Sequence, residues 1–563
     1  MALFLLLGAA SVLFPAARAS AADPISTSGL PGAVQPGRDR TVPQAPPPEF
    51  NFRVESPERS PIPRAVDQIR FKLNDIRITG ATTIPLEHFR PLYQGLIGRE
   101  ISLSDILDVA DKIEAEYRAA GYLLVRAYVP PQRVRDGVFT INITEGFVSA
   151  VSVQGADEAT ARQIKAYLQP VLNAKPLLLA TIERALLLSN DLPGLSATGV
   201  LRPSPDTPGA SELVVAVAEP QFSGGLSVDN RGSRFSGVWT ATGSLAATPV
   251  FGDDQLSGNV TVAPDKFEQI AGQLHYAHAI GDDGLMGNLI GTITHGDPGS
   301  TLRAFDVLTN SWAIGPRLTY PILRSRAQSL SVDGGFTVQD ARVDVLGEGL
   351  SNDRWRVLDA ALTYQQNNLL GGIFSGSFDV AQGLHILGAT DNDSPDLSRM
   401  GAQTDFTKFS GVAHYTMPIF SPVSVALATQ AQFSLEPLIT GEQVTFGGTQ
   451  IGRGYDPGAI TGDHGLGGSL ELRYDTRFPD YAIQALQPYA FVDAAQTWYI
   501  QRGLAKDSDL TNQSIASVGA GLRFWFPHNL SADVEVARTL DPVPGSDDGK
   551  RTTKILVDAA FGF

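Results

Sequence analysis

Side chains able to make and break bonds are either missing from this sequence or wrongly spaced. Its 563 residues include no cysteine, which rules out thiolate nucleophiles, thiolate metal sites and disulfides. Eight histidines are scattered along the chain, His278, His295 and His464 among them, and they show no ligand spacing. The patterns His-Glu-x-x-His, Gly-x-x-x-x-Gly-Lys-Ser/Thr and Gly-x-Ser-x-Gly do not occur. No catalytic, metal or cofactor site is therefore expected, and the chain does not read as an enzyme. Charge disposes of a further class. With 43 Lys+Arg against 59 Asp+Glu the net charge is −16, whereas binding to nucleic acid requires a basic surface. The chemistry that remains is recognition, carried by charged groups, aromatic rings and exposed backbone edges, and these depend on the elements that hold them.

Those elements begin with an export segment. Leu3 to Phe14 form a short apolar core, and Ala17, Ala19 and Ala21 offer small residues for a cleavage site, so residues 1–22 read as a signal peptide without a basic start. Residues 23–67 are rich in proline, from Pro24 through Pro46, Pro47 and Pro48 to Pro63. Proline denies helix donors and favours extended backbone, so this stretch reads as a linker. No amphipathic period is visible there.

Two small α+β modules follow, at 68–146 and 147–219. In the first, Phe71, Leu73, Ile76 and Ile78 give a strand stopping at Gly80, and 86–92 is a short helix candidate. Ser102 with Asp105 three positions later can cap a longer helix that places Ile106, Val109, Ala110, Ile113 and Tyr117 on one face, ending at Gly121. Strands from Leu123 to Val129 and from Val138 to Thr144 close the unit. The same β-α-α-β-β order recurs from Val148, with helices at 157–172 and 179–188 and closing strands at 197–201 and 213–217. A tandem repeat of this kind reads as a binding arm whose sheet edges can accept another chain.

From 220 to 563 helix signals nearly vanish. Segments of about ten alternating residues, separated by Gly, Asp, Asn and Ser, are the signature of a transmembrane barrel. Although 43% of the chain is hydrophobic, no apolar run of about 20 residues lies beyond the N-terminus, which excludes helical spans. The final strand puts Ile555, Val557, Ala559, Phe561 and Phe563 on one face and Lys554, Leu556, Asp558, Ala560 and Gly562 on the other, with Phe561 and Phe563 as a C-terminal barrel signal. At about 21 residues per strand and loop, the region accommodates about 16 antiparallel strands around an aqueous lumen. An idle lumen of that width needs a plug.

Particular motifs then resemble a known family. The run GYLLVRAYVPPQRVRDGVFTINITEG at 121–146 resembles the first POTRA domain of two-partner secretion transporters, the exporters of hemolysin and filamentous-hemagglutinin type. Arg126, Tyr128, Pro130, Pro131 and Gln132 carry the match. LSVDNRG at 226–232 is similar to the family's first barrel strand. GGTQIGRGY at 447–455 resembles the inward-folding loop of the wider outer-membrane insertase and exporter superfamily, with Gly452 in place of Val and Arg453, Gly454 and Tyr455 matching. FVDAA at 491–495 resembles its Phe-x-Asp-x-Gly wall motif through Phe491 and Asp493.

The resemblance implies a pairing of Arg453 with Asp493, which spacing alone would not suggest. Alone, Arg453 reads as an exposed loop arginine and Asp493 as a solvated lumen residue. A bidentate contact would hold the loop tip on the wall. Tyr455 either packs on that wall or belongs to an aromatic girdle, Gly454 supplies backbone freedom, and Pro130, Pro131 and Gln132 form either a turn or a substrate-binding edge. The resemblance further implies an outer-membrane exporter with its POTRA domains in the periplasm. Its partners are a secreted polypeptide, outer-membrane lipid and the barrel-assembly machinery that inserts it, with no nucleotide consumed. A barrel insertase is the alternative within the superfamily, and a passive porin is the alternative outside it.

Overall fold

The computed structural model describes residues 52–54, 70–544 and 550–563, apart from 135, 206, 208, 219, 251, 265–266, 479–480 and 501–511. The expected signal peptide and most of the expected linker lie outside the described residues. Within the linker range, β1 (Phe52–Val54) pairs in parallel with a strand almost 150 residues later, so this part of the segment belongs to a sheet and is not plain spacer.

The first module comprises β2 (Arg70–Lys72), β3 (Asp75–Thr79), α1 (Leu86–Tyr93), β4 (Glu100–Ser102), α2 (Leu103–Ala119), β5 (Val125–Tyr128) and β6 (Val138–Glu145). The single strand expected from Phe71 to Ile78 is two. Arg70–Lys72 pairs with β4, whereas β3 runs parallel to β6, and the chain changes partner at Leu73 and Asn74. The inward side chains shift phase there, from Phe71 and Leu73 to Ile76 and Ile78, a three-residue step that breaks the period of two. Helix α2 starts where the sequence places it. Ser102 accepts from the Asp105 N–H at 3.3 Å while Asp105 accepts from the Ser102 N–H at 2.7 Å, a reciprocal cap worth about 1 kcal/mol. Ile106, Val109, Ala110, Ile113 and Tyr117 all lie in the core. Gly121, at φ +90°, turns the chain out of the helix.

The second module contains β7 (Phe147–Gln154), α3 (Glu158–Tyr167), α4 (Gln169–Asn173), α5 (Leu179–Asn190), β8 (Ser196–Pro203) and β9 (Ala210–Ala218). Its sheet order is β1-β8-β9-β7. The one helix expected at 157–172 is broken between α3 and α4, where Pro170 offers no N–H to continue the ladder.

The remaining chain forms β10 (Phe222–Asp229), β11 (Thr240–Ala247), β12 (Asp254–Val262), β13 (Gln269–Ile280), β14 (Leu285–Gly296), β15 (Leu308–Arg324), β16 (Gln328–Val345), β17 (Glu348–Leu369), β18 (Gly372–Gly383), β19 (Thr407–Phe420) and β20 (Val423–Ser434). After the inner hairpin β21 (Val444–Phe446) and β22 (Ile460–Gly462) come β23 (His464–Tyr474), β24 (Thr476–Arg477), β25 (Ala485–Trp498), β26 (Asn512–Phe526), β27 (Leu530–Thr539) and β28 (Thr553–Gly562). Strands β10–β20 and β23–β28 close into a ring, with β24 prolonging β23, so the wall has 16 antiparallel strands, as expected. Alternation sorts the side chains. Leu470, Leu472, Val492, Val534, Val536 and Ile555 face outward and are exposed, whereas Ser469, Glu471, Asp493, Glu535 and Leu556 face inward and are buried.

The second module sits on one rim of the ring. The Arg324 guanidinium grips both oxygens of Asp191 at 2.7 and 2.6 Å, a bidentate fork that fixes orientation as well as distance. Glu183 accepts from the Arg326 N–H at 2.6 Å, and Gln163 donates to the Gly281 carbonyl at 2.6 Å. Ala279 is buried in the module's own core and Met286 packs against it, so wall and module share one apolar cluster.

Glu145, at the end of β6, ties the first module together. It accepts from the N–H groups of Thr82 and Thr83 at 2.9 and 3.0 Å and from the Tyr117 hydroxyl at 2.7 Å. Burial pushes its carboxyl up, but the hydrogen bonds from Thr82, Tyr117 and Thr83 outweigh burial and hold it at about 2, against an ordinary 4.5. Because the folded value is depressed, the stabilisation is complete above the ordinary value and is lost as pH falls towards 2. Glu145→Gln is expected to cost the module about 1–3 kcal/mol at neutral pH and to flatten its acid sensitivity below about pH 4.5. Hydrogen exchange of the β6 amides in the full-length protein measures both, and an unchanged acid slope would refute the assignment.

Candidate functional site in the barrel lumen

Between β20 and β23 the chain folds back into the ring as the hairpin β21–β22, and residues 447–459 form its tip. Glycines on β23 make room for it. A Cβ at Gly467 would stand 2.5 Å from the Phe446 ring, and one at Gly465 2.6 Å from Val444. The hairpin thus lies flat on a wall strand whose inward side chains are absent where the hairpin is bulky.

At the tip, Arg453 is 5% exposed and reaches three carboxylates from three strands. Its Nε lies 3.2 Å from Asp493 on β25, and its Nη1 lies 2.9 Å from Glu471 on β23 and 3.3 Å from Glu535 on β27. Nη2 donates to the Ser469 hydroxyl at 2.9 Å, and the guanidinium carbon stands 3.3 Å over the Phe491 ring. The expected pairing of Arg453 with Asp493 is present, but its form differs. Instead of a bidentate fork, one Asp493 oxygen takes both the Nε and the Arg453 backbone N–H, while Ser517 donates to the other oxygen. The remaining guanidinium nitrogens are free to bridge to neighbouring strands, so one side chain staples β23, β25 and β27 to the loop.

The neighbouring loop residues take distinct roles. Tyr455 is 2% exposed and packs on the wall, not in a girdle. Its hydroxyl lies 3.0 Å from the carbonyl oxygens of Ala516 and Asp541 and accepts from the Asp541 N–H at 3.2 Å. Gly454 was expected to supply backbone freedom, yet the left-handed position belongs to Gly452, at φ +84°. Gly454 is a matter of space: its Cβ would lie 3.0 Å from the Thr539 nitrogen and 3.1 Å from Ser517. Asp456 pairs with Lys554 on β28.

The lock extends beyond the matched motifs. Arg523 on β26 bridges Glu471 at 2.7 Å and Asp533 at 3.3 Å, stacking 3.9 Å over Tyr489. Tyr489 in turn donates to Glu535 at 2.8 Å. Near the roots of the hairpin, Glu442 is held by Lys408 and by the Trp355 indole at 2.8 Å, and Asp463 by Arg399 at 2.6 Å. Sequence reading missed all of these. Glu471 and Glu535 did leave a trace, as acids at inward positions between Leu470 and Leu472 and between Val534 and Val536. Lys408, Arg399 and Trp355 left none, since their partners are 34 to 87 residues away.

The residues singled out in the first module lie far from the lumen. Tyr128 is exposed on the edge strand β5, with Arg126 on the same side. Pro130 and Pro131 end that strand. Gln132 accepts from the Thr140 N–H at 2.8 Å and donates to the Thr140 carbonyl at 2.9 Å, so its amide continues the β6 ladder as a peptide group would.

If the loop tip seals the lumen, Gly454→Val should dislodge Arg453 and raise the ion conductance of the purified protein in planar bilayers several-fold. Gly291→Ala on β14, where an added Cβ meets nothing within 4 Å and the backbone is ordinary strand, should conduct like wild type. Equal conductance of wild type and Gly454→Val would mean that the tip is not the seal.

Comparison with known proteins agrees with this architecture. Residues 209–524 match the family described as haemolysin secretion/activation protein ShlB/FhaC/HecB, and residues 71–146 match the POTRA domain of ShlB type. The heme/hemopexin transporter protein HuxB of Haemophilus influenzae strain 86-028NP is 21% identical over 511 residues, 87% of each chain. The outer membrane transporter CdiB of Dickeya dadantii is 23% identical over 437 residues, 72% of each. Among solved structures, CdiB from Escherichia coli superposes with a TM-score of 0.68 at 20% identity, covering 90% of this chain and 93% of its own. BamA from Haemophilus ducreyi lacking POTRA domains 1–3 gives 0.53 at 14% identity, covering 88% of this chain and all of its own. With the matched region spanning more than half of its length, the chain belongs to the ShlB/FhaC/HecB family of haemolysin secretion/activation proteins, outer-membrane transporters of two-partner secretion with periplasmic POTRA domains.

Proposed function

We propose that the loop tip carrying Arg453 is the resting lock of the export path, and that cargo passes outward through the lumen once this tip leaves its seat. The observation that carries the reading is the burial of Arg453 among Asp493, Glu471 and Glu535, which fastens an inward loop across a ring otherwise wide enough for an aqueous path. Sharing one cation among several strands makes the lock cooperative, because the guanidinium must leave all three carboxylates to move.

Capture of the cargo falls to the two periplasmic modules. Strand β5 pairs with β6 on one side, and on the other its Ala127 N–H is held by the Glu114 carboxylate at 2.9 Å, so an extended segment added along Arg126 and Tyr128 displaces that contact, with Pro130 and Pro131 closing the edge. Gln132 then serves the turn. In the second module the β8 edge already carries β1. Outer-membrane lipid covers the apolar belt, and insertion of the ring, with Phe561 and Phe563 outward at its last strand, is the work of the barrel-assembly machinery. No nucleotide, cofactor or nucleic acid enters this scheme.

Arg453→Ala leaves three buried carboxylates short of a counter-charge, a deletion that costs about 3–5 kcal/mol in a desolvated pair. Because the same contacts return the tip to one defined seat between rounds of export, the expected result is a normally inserted barrel whose resting conductance rises and whose secretion of its partner falls at least tenfold. Wild-type secretion by a correctly inserted variant would overturn the lock.

A further inference from the structure

The run Asp229-Asn230-Arg231, at the end of the first barrel strand, has so far been given no task. It stands at the seam where the ring closes. The register of β10 with β28 runs from Gly225 opposite Gly562 to Asp229 opposite Asp558, five residue pairs against eight between β10 and β11, and at the other end Gly224 and Phe563 exchange two further backbone hydrogen bonds at 3.0 Å. Beyond that short ladder Asn230 takes over. Its N–H donates to the Val557 carbonyl at 3.1 Å, its side-chain nitrogen donates to the Ile555 carbonyl at 2.9 Å, and its side-chain oxygen accepts from the Val557 N–H at 2.7 Å. The side-chain amide thereby stands in for the peptide group that β10 lacks.

The seam also carries an electrostatic liability. Asp229, Asp558 and Asp533 lie opposite one another on β10, β28 and β27, on the lumen face. Like charges directly opposed across strands destabilise a sheet, more so where water is scarce. Arg523 meets Asp533 from β26 at 3.3 Å, and Arg231 is the cation that reaches the row from the β10 side of the seam. Its backbone N–H bonds Asp229 at 2.9 Å, and its guanidinium lies 3.9 Å from Asp533 and 3.4 Å from Glu535. Glu535 is shared, since one of its oxygens faces Arg231 and the other faces Arg453 and Tyr489.

We infer that Asn230 and Arg231 form a seam clamp, and that Glu535 couples this clamp to the loop lock in the sense that keeps the ring shut during export. When Arg453 withdraws, Glu535 loses one of its two cations and its charge is left to Arg231, so the clamp tightens as the plug leaves. The path that opens is the lumen, and the wall does not part. Arg231 is a positioning residue, acting through the seam and not on the cargo. The coupling rests on the lock reading above, whereas the clamp itself does not.

Because the chain has no cysteine, the seam can be bolted at will. Val228 and Ala559 face each other across it on the outward side, so Val228→Cys with Ala559→Cys should form a disulfide on oxidation. The experiment installs Arg231→Ala in that background, inserts the protein oxidised, and then measures export and the temperature at which the barrel unfolds in detergent, before and after reduction. Reduction is expected to lower the unfolding temperature by several degrees and export about tenfold in Arg231→Ala, and to do neither when Arg231 is retained. Adding Arg453→Ala should enlarge the drop in unfolding temperature that reduction causes in Arg231→Ala, while the bolt should leave the export defect of Arg453→Ala alone uncorrected. If reduction leaves Arg231→Ala unchanged, the clamp is refuted. If the clamp holds and Arg453→Ala adds nothing to it, the coupling through Glu535 is refuted. Normal export by Arg453→Ala alone would strike the lock while leaving the clamp in place.

Discussion

Hydrocarbon supplies no hydrogen bonds, and that constraint organises everything in this protein beyond residue 220. Each strand must be bonded on both sides, so the sheet must close. Closure at sixteen strands encloses water, and a water-filled ring in a barrier membrane must be stopped when idle. The inward hairpin, held by its charges, lies where the proposed stop would act.

The way the stop is held follows from the cost of burying charge. A lone guanidinium in the lumen would lose solvation that no single carboxylate restores. Arg453 therefore sits in a balanced set, with acids from β23, β25 and β27 around it and Arg523 and Arg231 supplying further positive charge. Such a network contributes little net stability compared with apolar packing, but it defines one geometry and leaves a buried, uncompensated charge if any member is moved. That combination suits a switch better than a strut. The aromatic rings of Phe491 and Tyr489 complete it, each seated over a glycine of β26 that leaves them room, Gly519 and Gly521.

The periplasmic modules are joined to this ring by a different device. The Asp191 to Arg324 fork and the shared apolar cluster around Ala279 set the second module rigidly against the rim. Movement at the arm can thus bear directly on the wall strands β13 to β15, while the first module is held by its own core and by Glu145.

Much of this was legible in one dimension because it depends on local pattern. Alternation with period two revealed the barrel strands and the outward face of Ile555 and Phe561. The Ser102 and Asp105 cap marked the start of α2, and the repeated β-α-α-β-β order marked two modules. Resemblance of motifs brought Arg453 to Asp493, which spacing could not do. What lay beyond reach was whatever depends on strands distant in sequence meeting in the ring. Glu471 and Glu535 join Arg453 only because β23 and β27 flank β25 and β26, and Lys408 meets Glu442 only because the hairpin folds inward. Periodicity records which face of a strand is buried, whereas the identity of the neighbour is set by closure and register, and those exist only once the chain has folded.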